Sequence, residues 1–282
     1  MKQQHYADWT GSSERLEEDI VLTPAQGLAA TLDDQQSRFQ TGDALPPLWH
    51  WLYFLPRVAQ SGLGPDGHPR RGGFLPPVAL PRRMFAGART QFHSPLRMGQ
   101  PAVREGTVLN VTEKQGKSGH LVFITVRYRI SQQHRLCVEE QQDIVYREPG
   151  AAVAAPRPAD WPSVPESAWT KIVTPDPVLL FRFSALTFNA HRIHYDRPYA
   201  TAEEGYPGLV VHGPLTAIQL MELVRHNATR TVASFSFRGQ APLFDLAAYR
   251  LVGIPASSGT IELEAQGPDG KITMKATATL AD

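Results

Sequence analysis

The segment 184–214, SALTFNAHRIHYDRPYATAEEGYPGLVVHGP, contains His191, His194 and His212 together with Asn189. Imidazole groups take up and release protons near neutral pH, and they are also the commonest metal ligands in proteins. The segment therefore predicts either an acid–base site or a metal site.

A metal site is the weaker of these two interpretations. His191 and His194 are three residues apart, so they would share one face of a helix, and His212 or Asp196 could supply a third ligand. A zinc site usually has three or four ligands, but the segment contains no cysteine and no His-Glu-x-x-His pattern. We therefore expect no metal.

The surroundings of His194 favour acid–base chemistry. Asn189 precedes it by five residues and could orient a water molecule, and Gly213 follows it by 19 residues at the start of an apolar helix. Free N–H groups at a helix start stabilise a negatively charged oxygen. This set suits the addition of water to a double bond conjugated to a carbonyl group. For His191, hydrogen bonding near a helix end is the stronger interpretation.

The hydropathy pattern places these residues among helices that precede strands. DPVLLFRFSALTF predicts a helix with Asp176 as N-cap and Pro177 at its first position, and GPLTAIQLMELVRHNA predicts a second helix. Alternating, strand-like runs follow, and GPDG at 267–270 predicts a hairpin turn between two of them. The C-terminal part thus predicts an α+β unit.

The N-terminal part repeats this order. The run PLWHWLYFLPRV at 47–58 predicts a helix, and strand-like runs follow it. An Ala- and Pro-rich stretch then separates the two parts. We expect an N-terminal unit at 1–150, a linker at 151–170 and a C-terminal unit at 171–282, which together form a duplicated α+β fold.

Composition limits the classes of partner and compartment. Lys and Arg number 28 against 27 Asp and Glu, which argues against a nucleic-acid partner. Cys137 is the only cysteine, so no intrachain disulfide is expected. The first residues lack the apolar core of a signal peptide, and no apolar run is long enough to span a membrane. We expect a soluble cytoplasmic protein without membrane contact.

The run NAHRIHYD and the later VVHGPL resemble the signature of the MaoC-like, or type 2, enoyl-CoA hydratases. That signature is Asp-x-Asn-Pro-aliphatic-His-x-Asp, followed by a His-Gly pair that opens the central hot-dog helix. The resemblance places His194 on the catalytic histidine, Gly213 on the oxyanion donor and Asp196 on a structural acid. It implies a double hot dog, two tandem curved antiparallel sheets around central helices, with the motif only in the C-terminal unit. His191 and His212 are the histidines expected to contact the substrate.

The sequence departs from this signature at the family's aspartate. Asn189 stands at that position, and His191 and Arg192 replace the Asn-Pro pair. Since an amide cannot act as a base, either His194 is the base while Asn189 holds the water, or another carboxylate substitutes. The candidate carboxylates are Asp196, Glu203 and Glu204.

Three further motifs, PLWHWLYFLP, LGPDGHPRRGGFLPP and LPRRMFAGA, are similar to the branch that contains hydroxyacyl-thioester dehydratase type 2 and the mesaconyl-CoA and itaconyl-CoA hydratases. The resemblance covers about residues 45–245. It implies hydration of a 2-enoyl-CoA, above all mesaconyl-CoA or itaconyl-CoA to citramalyl-CoA, without a cofactor. A short-chain 3-hydroxyacyl-thioester dehydratase, an acyl-CoA thioesterase and a non-catalytic acyl-thioester-binding module remain alternatives. Hot-dog proteins commonly pair, so a homodimer or higher homo-oligomer is expected.

Arginines are the candidates for charged groups of the substrate. Arg82 and Arg83 lie among apolar residues, where unpaired guanidinium groups are costly, and they suit the phosphates of coenzyme A. Arg192 is the candidate for the carboxylate of a dicarboxylic substrate. An ion pair with Asp196 or Glu203 is the structural alternative for Arg192.

Overall fold

The computed structural model describes residues 5–116, 119–150, 153–157, 159–256 and 258–281. The strands in these ranges are β1 (Ser13–Asp19), β2 (Arg82–Phe92), β3 (Pro101–Gly116), β4 (Gly119–Gln132), β5 (Arg135–Arg147), β6 (Trp169–Val173), β7 (Val232–Gly239), β8 (Tyr249–Pro255), β9 (Thr260–Gln266) and β10 (Ile272–Leu280). The α-helices are α1 (Leu22–Thr31), α2 (Pro177–Leu186) and α3 (Gly213–Asn227).

The strands form one antiparallel sheet with two halves of the same design. Its order is β1-β3-β4-β5-β2-β7-β10-β9-β8-β6. Read from each outer edge, both halves place their first, third, fourth, fifth and second strands side by side. β2 and β7 join the halves at the centre, from Gly87 opposite Arg238 to Gln91 opposite Ser234. The predicted double hot dog is confirmed.

The C-terminal half is built around α3. Leu215, Ile218, Leu220, Met221 and Val224 of this helix are all fully buried, and the helix packs on β2, β6, β8, β9 and β10. A helix that is apolar on nearly every side belongs in a core, which is why the second predicted helix lies at the centre of its half.

The helix α2 starts as its sequence predicts. The Asp176 side chain accepts a hydrogen bond from the Leu179 N–H (2.7 Å), and Pro177 occupies the first helical position, where its missing N–H costs nothing. The helix ends at Leu186, shortly before the histidines.

The helix predicted over 47–58 is wrong. Only Trp49–Leu52 are helical there, as a four-residue 3-10 helix. Leu48 and Phe54 on either side have φ values of 68° and 55°, which α-helical backbone does not allow. Trp49, Leu52 and Phe54 are nevertheless buried. The apolar pattern therefore predicted the buried residues correctly but predicted the wrong backbone conformation for them.

A buried polar network lies under this segment in the N-terminal half. Glu140 of β5 is 2% exposed and bonds His50 Nε2 (3.1 Å), Trp51 Nε1 (3.0 Å) and Thr90 Oγ1 (2.9 Å). Burial alone would raise the pKa of Glu140, but the charge and hydrogen bond of His50 outweigh burial and lower it. A buried polar network thus adds to the apolar core of a half that has no counterpart of α3 among its described residues.

The connection between the halves is extended. The described residues between β5 and β6 contain no helix or strand, and β6 begins at Trp169. Because both halves share one sheet, the predicted division at 151–170 stays a prediction. None of the helices in the described ranges is long and apolar enough to cross a membrane.

Candidate active site

Four histidine rings lie next to one another in the structure. The ring centroids of His194 and His212 are 3.6 Å apart and stacked, those of His191 and His194 are 5.4 Å apart, and those of His68 and His191 are 4.1 Å apart. His191, His194 and His212 are buried. The structure therefore brings the three predicted histidines together and adds a fourth from the N-terminal half.

His194 presents one nitrogen to the site. It ends a 3-10 helix at Arg192–His194, and its Nδ1 donates to the carbonyl of Val210 (2.7 Å). This bond leaves the Nε2 lone pair without a partner among the described residues. Burial lowers the pKa of His194 to about 4, although the bond to Val210 opposes the shift. At neutral pH His194 is thus a neutral imidazole with an available basic nitrogen.

His212 and Gly213 form the start of α3. His212 is the N-cap, its Nε2 lies 2.9 Å from the Ser184 Oγ, and its Nδ1 is buried without a partner among the described residues. Burial, followed by the charges of His194 and His191, lowers its pKa well below the usual value. The Gly213 N–H also has no acceptor in the described ranges, and Pro214 has no N–H. An unsatisfied N–H donor and an unpartnered imidazole nitrogen therefore lie at one helix end.

Asn189 holds the turn that precedes the histidines. Its Oδ1 accepts the His191 N–H (3.0 Å), and its own N–H donates to Ser184 (2.8 Å). Phe188 before it has a positive φ of 48°, so the chain turns sharply at this point. The side chain thus positions the loop, and its predicted role in holding water stays a prediction.

The predicted substitute carboxylates are largely engaged elsewhere. Asp196 accepts the Nε (2.9 Å) and Nη2 (2.8 Å) groups of Arg192, and Glu204 pairs with Arg82 (Nε to Oε2, 3.0 Å). Glu203 is exposed. The structure therefore gives Asp196 the structural role that the family resemblance implies.

The three predicted substrate-binding arginines differ in their partners. Arg192 makes the alternative ion pair with Asp196, donates to the Pro65 carbonyl (3.1 Å) and lies over the Tyr199 ring at 4.1 Å. Arg82 is buried in its ion pair with Glu204. The Arg83 side chain forms no hydrogen bond or ion pair with any described residue. Contacts of the three with substrate stay predictions.

A loop of the N-terminal half contributes two residues that the sequence analysis missed. The Asp66 Oδ2 lies 3.1 Å from His68 Nδ1, and the Asp66 Oδ1 accepts the His68 N–H (3.0 Å). Burial alone would raise the pKa of Asp66, but the hydrogen bonds and charge of His68 outweigh burial and lower it to about 2. Burial lowers the pKa of His68, while Asp66 opposes that shift. Asp-x-His within LGPDGHPRRGG was the available signal, but the motif suggested only turns and a basic loop.

Backbone contacts hold this loop against the histidine segment. The Arg192 N–H donates to the Asp66 carbonyl (2.9 Å). Gly67 has a φ of +88°, and a Cβ there would lie 1.8 Å from the Ala190 carbonyl oxygen. Only glycine allows such an approach. The two halves of the chain therefore build one site.

One group of side chains at this site has the chemistry of metal ligands. One ligand atom each from Asp66, His68 and His191 lie within 4.8 Å of one another. An oxygen and two imidazole nitrogens suit zinc or a similar ion. The prediction that no metal is needed therefore stays a prediction that requires measurement.

Known proteins resemble the chain over nearly its whole length. Residues 48–245 match the family described as hydroxyacyl-thioester dehydratase type 2. The mesaconyl-C(4)-CoA hydratase of Chloroflexus aurantiacus is 61% identical over 272 residues, which cover 96% of each chain. The mitochondrial hydroxyacyl-thioester dehydratase type 2 of Schizosaccharomyces pombe is 30% identical over 232 residues, 71% of this chain and 75% of that one.

The fold also has a counterpart among solved structures. A Mycobacterium tuberculosis protein described as a double hot dog has a TM-score of 0.57 at 14% identity and covers 98% of both chains. The family match spans the Asp66–His68 loop, β2, the histidine segment and the start of α3. The chain belongs to the hydroxyacyl-thioester dehydratase type 2 family, and the prediction of a hydro-lyase is confirmed.

Proposed function

We propose that the protein reversibly hydrates a 2-enoyl-CoA thioester and that its substrate is mesaconyl-CoA, converted to citramalyl-CoA. The observation that carries this proposal is the 61% identity, over 96% of both chains, to a protein named mesaconyl-C(4)-CoA hydratase. Itaconyl-CoA is the second dicarboxylic candidate. The geometry of the histidine cluster supports acid–base chemistry on such a substrate.

His194 is the base in this proposal. Its Nδ1 is fixed on the Val210 carbonyl, so the Nε2 lone pair has a defined direction. A neutral imidazole can accept a proton from water, and a positioned general base typically contributes about 10²–10⁴-fold to the rate. Asn189 holds the loop and, in this proposal, also orients the water.

The thioester oxygen binds at the start of α3. The Gly213 N–H and the buried Nδ1 of His212 have no protein partners in the described structure, and Nδ1 carries the proton when the Ser184 hydroxyl donates to Nε2. As the double bond is attacked, negative charge develops on the thioester oxygen. Preorganised donors stabilise that charge most strongly in a buried site. The N-terminal end of the α3 dipole acts in the same direction.

Asp66 and His68 supply a histidine that is hydrogen-bonded to a carboxylate, which the segment 189–196 lacks. Asp66 accepts from the His68 Nδ1, which leaves the His68 Nε2 available. A carboxylate stabilises the imidazolium form of its partner, as in other Asp–His pairs. Asp66 opposes the lowering of the His68 pKa by burial, whereas His194 is bonded only to a carbonyl, so in this proposal His68 is the acid and His194 the base.

The proposed hydration balances as follows. The water oxygen bonds to the β-carbon while His194 Nε2 takes one water proton. The π electrons move toward the thioester, whose oxygen is held by the Gly213 N–H. The His68 imidazolium gives a proton to the α-carbon, and the carbonyl re-forms. His194 then releases its proton and His68 regains one from solvent, so that the net reaction adds one water.

A substrate panel tests the proposal. The purified protein is incubated with mesaconyl-C(4)-CoA, itaconyl-CoA and crotonyl-CoA while enoyl absorbance, free thiol and product mass are followed. We expect the mass of one water to be gained on mesaconyl-C(4)-CoA with coenzyme A retained. Release of free thiol would instead identify a thioesterase, and no reaction on any substrate would indicate a binding module.

A short-chain 3-hydroxyacyl-thioester dehydratase of fatty-acid metabolism is the second candidate. The 30% identity to the Schizosaccharomyces pombe dehydratase favours it. Such a substrate would use the same base and the same oxyanion donors but would carry no free carboxylate. A kcat/KM for crotonyl-CoA above that for mesaconyl-C(4)-CoA would favour this candidate.

A further inference from the structure

Arg83 differs from the other arginines of the site because it has no protein partner. Arg82 and Arg192 each pair with a carboxylate, on Glu204 and Asp196. Arg83 is only partly exposed, and within the described ranges its side chain makes neither a hydrogen bond nor an ion pair. A partly buried guanidinium without an anion is unfavourable, so a site for an anion is indicated.

The strand register places Arg83 on the inner face of the sheet. Arg83 lies opposite Tyr146, and Phe85, two residues along β2, lies opposite Ile144. Tyr146 and Ile144 are both buried. Residues that face each other in a ladder share one side of the sheet. The Arg83 side chain therefore points to the side that carries the core.

The same strand runs past the start of α3. The Phe85 carbonyl oxygen lies 4.0 Å from the position that a Cβ on Gly213 would take. Arg83 is two residues from Phe85, which is about 7 Å along a strand. A side chain as long as arginine can cover that distance, so Arg83 is within reach of a group bound at Gly213.

The charge of Arg83 also acts on the histidine cluster. It is one of the causes that lower the pKa values of His68 and His191, after burial in both cases. The nearest acid of that cluster, Asp66, is already paired with His68. The positive charge thus lies beside the acid–base groups and lacks a protein carboxylate of its own.

The chemistry of the proposed substrate requires a cation at this place. In a mesaconyl unit joined to coenzyme A through C4, the β-carbon of the enoyl thioester carries both the methyl group and the free carboxylate. Water attacks that carbon. The carboxylate must therefore lie next to the acid–base histidines and far from the phosphates of coenzyme A.

We propose that Arg83 binds the free carboxylate on the β-carbon of the substrate. This inference rests on the proposed function and assigns Arg83 a role different from the predicted contact with coenzyme A phosphates. A guanidinium holds a carboxylate through two parallel hydrogen bonds, which fixes its orientation as well as its charge. The pair would direct the β-carbon toward His194 and would discriminate against substrates with a methyl group in place of the carboxylate.

The test compares two isosteric substrates in Arg83→Gln. In 3-methylcrotonyl-CoA a methyl group replaces the carboxylate of mesaconyl-C(4)-CoA and the rest is unchanged. We expect kcat/KM for mesaconyl-C(4)-CoA to fall by about 10²-fold, since truncating one member of a buried charge pair is costly. For 3-methylcrotonyl-CoA we expect a change of less than about threefold. Arg83→Lys, which keeps the charge but loses the bidentate fork, should fall between wild type and Arg83→Gln.

Arg89→Gln is the matched control. Arg89 lies on the same strand, is exposed and pairs with Asp143 (2.6 Å), so its loss should leave both substrates unchanged. An equal loss on both substrates in Arg83→Gln would make Arg83 structural and overturn the inference. Retention of full activity on mesaconyl-C(4)-CoA would overturn it as well.

A binding experiment tests the role of Arg83 independently of the proposed function. The saturated analogues 2-methylsuccinyl-C(4)-CoA and isovaleryl-CoA differ only in the carboxylate and need no turnover. Calorimetry should show a loss of affinity in Arg83→Gln for the dicarboxylic analogue alone. If the wild type hydrates no dicarboxylic substrate, the proposed function fails, and the calorimetric difference still decides whether Arg83 binds a carboxylate. Equal affinity of wild type and Arg83→Gln for the dicarboxylic analogue would refute the inference.

Discussion

The two halves of the sheet share a strand order but cover their inner faces differently. In the C-terminal half, α3 packs on the sheet with an unbroken run of buried, mostly apolar residues from Leu215 to Val224. In the N-terminal half, the corresponding region is a 3-10 helix and loops over the buried Glu140–His50 pair. Both halves thus have apolar cores, but one is covered by a long buried helix and the other by a short 3-10 helix and loops that add a buried polar pair.

Because of this difference, the two halves contribute different groups to the site. The start of a long buried helix provides free N–H donors at a fixed place, which a loop cannot do as reliably. Loops can extend to the neighbouring half, and the N-terminal loop brings Asp66 and His68 to the histidines through the tight contact at Gly67. In the proposed mechanism the C-terminal half therefore stabilises the oxyanion and the N-terminal half supplies a proton donor.

The largest expected effect is that of the base in the C-terminal half. We expect His194→Ala to lower kcat/KM for the hydrated substrate by about 10²–10⁴-fold with the fold retained. His120→Ala is the matched control, because His120 pairs with Glu113 on exposed β-strands (3.1 Å) and should leave the rate unchanged. Steady-state kinetics and circular dichroism measure both. Activity of His194→Ala within a few-fold of wild type would remove His194 from the mechanism.

Replacing Glu140 removes the shared partner of the buried polar network in the N-terminal half. We expect Glu140→Ala to lower the free energy of unfolding by about 3–5 kcal/mol, because His50, Trp51 and Thr90 lose their buried partner. Glu139→Ala on the same strand removes only an exposed pair with Arg129 and should cost less than about 1 kcal/mol. Equal midpoints in urea for the two variants would contradict the account of this half.

The buried histidines predict how stability depends on pH. His194 and His191 have pKa values lowered to about 4 and about 2, against an ordinary value of 6.5. Below pH 6.5 the unfolded chain therefore binds protons that the folded chain does not, and stability falls as the pH decreases from about 6.5 toward 4. Each such proton contributes up to about 1.4 kcal/mol per pH unit. His191→Gln should reduce this slope in urea titrations, and an unchanged slope would argue against a neutral His191.

The smallest expected effect is that of Arg192. Because Arg192 pairs with Asp196 and contacts Pro65 and Tyr199, we expect Arg192→Met to reduce kcat/KM by less than about tenfold. The reduction should be the same for mesaconyl-C(4)-CoA and crotonyl-CoA. A selective loss on mesaconyl-C(4)-CoA would make Arg192 the carboxylate partner and would contradict the assignment of Arg83.

Local signals in the sequence predicted the elements around the site. The cap at Asp176, the start of α3 at Gly213 and the two hot-dog units follow from short-range patterns and a recognisable motif. The prediction of a helix at 47–58 was wrong because Leu48 and Phe54 adopt positive φ. Leucine and phenylalanine residues do not predict this backbone conformation. Apolar spacing reports burial more reliably than it reports backbone geometry.

Tertiary contacts explain what the sequence could not predict. The Asp66–His68 pair is more than 100 residues from the histidine segment in sequence, and tertiary contacts such as the Arg192–Asp66 bond and the approach of Gly67 to Ala190 bring them together. The lack of a carboxylate partner for the Arg83 side chain likewise depends on distances between separate elements. The residue types identified these side chains as candidates, but their roles depend on the fold.

The central claim is that the acid–base site is assembled from both halves, and the kcat of metal-free His68→Gln tests it most directly. We predict a loss of about 10²-fold at saturating mesaconyl-C(4)-CoA, with KM retained and His120→Gln unaffected. Chelation should leave the wild-type rate unchanged. A His68→Gln kcat within a few-fold of wild type would contradict the claim, and so would wild-type activity that disappears on chelation and returns with zinc.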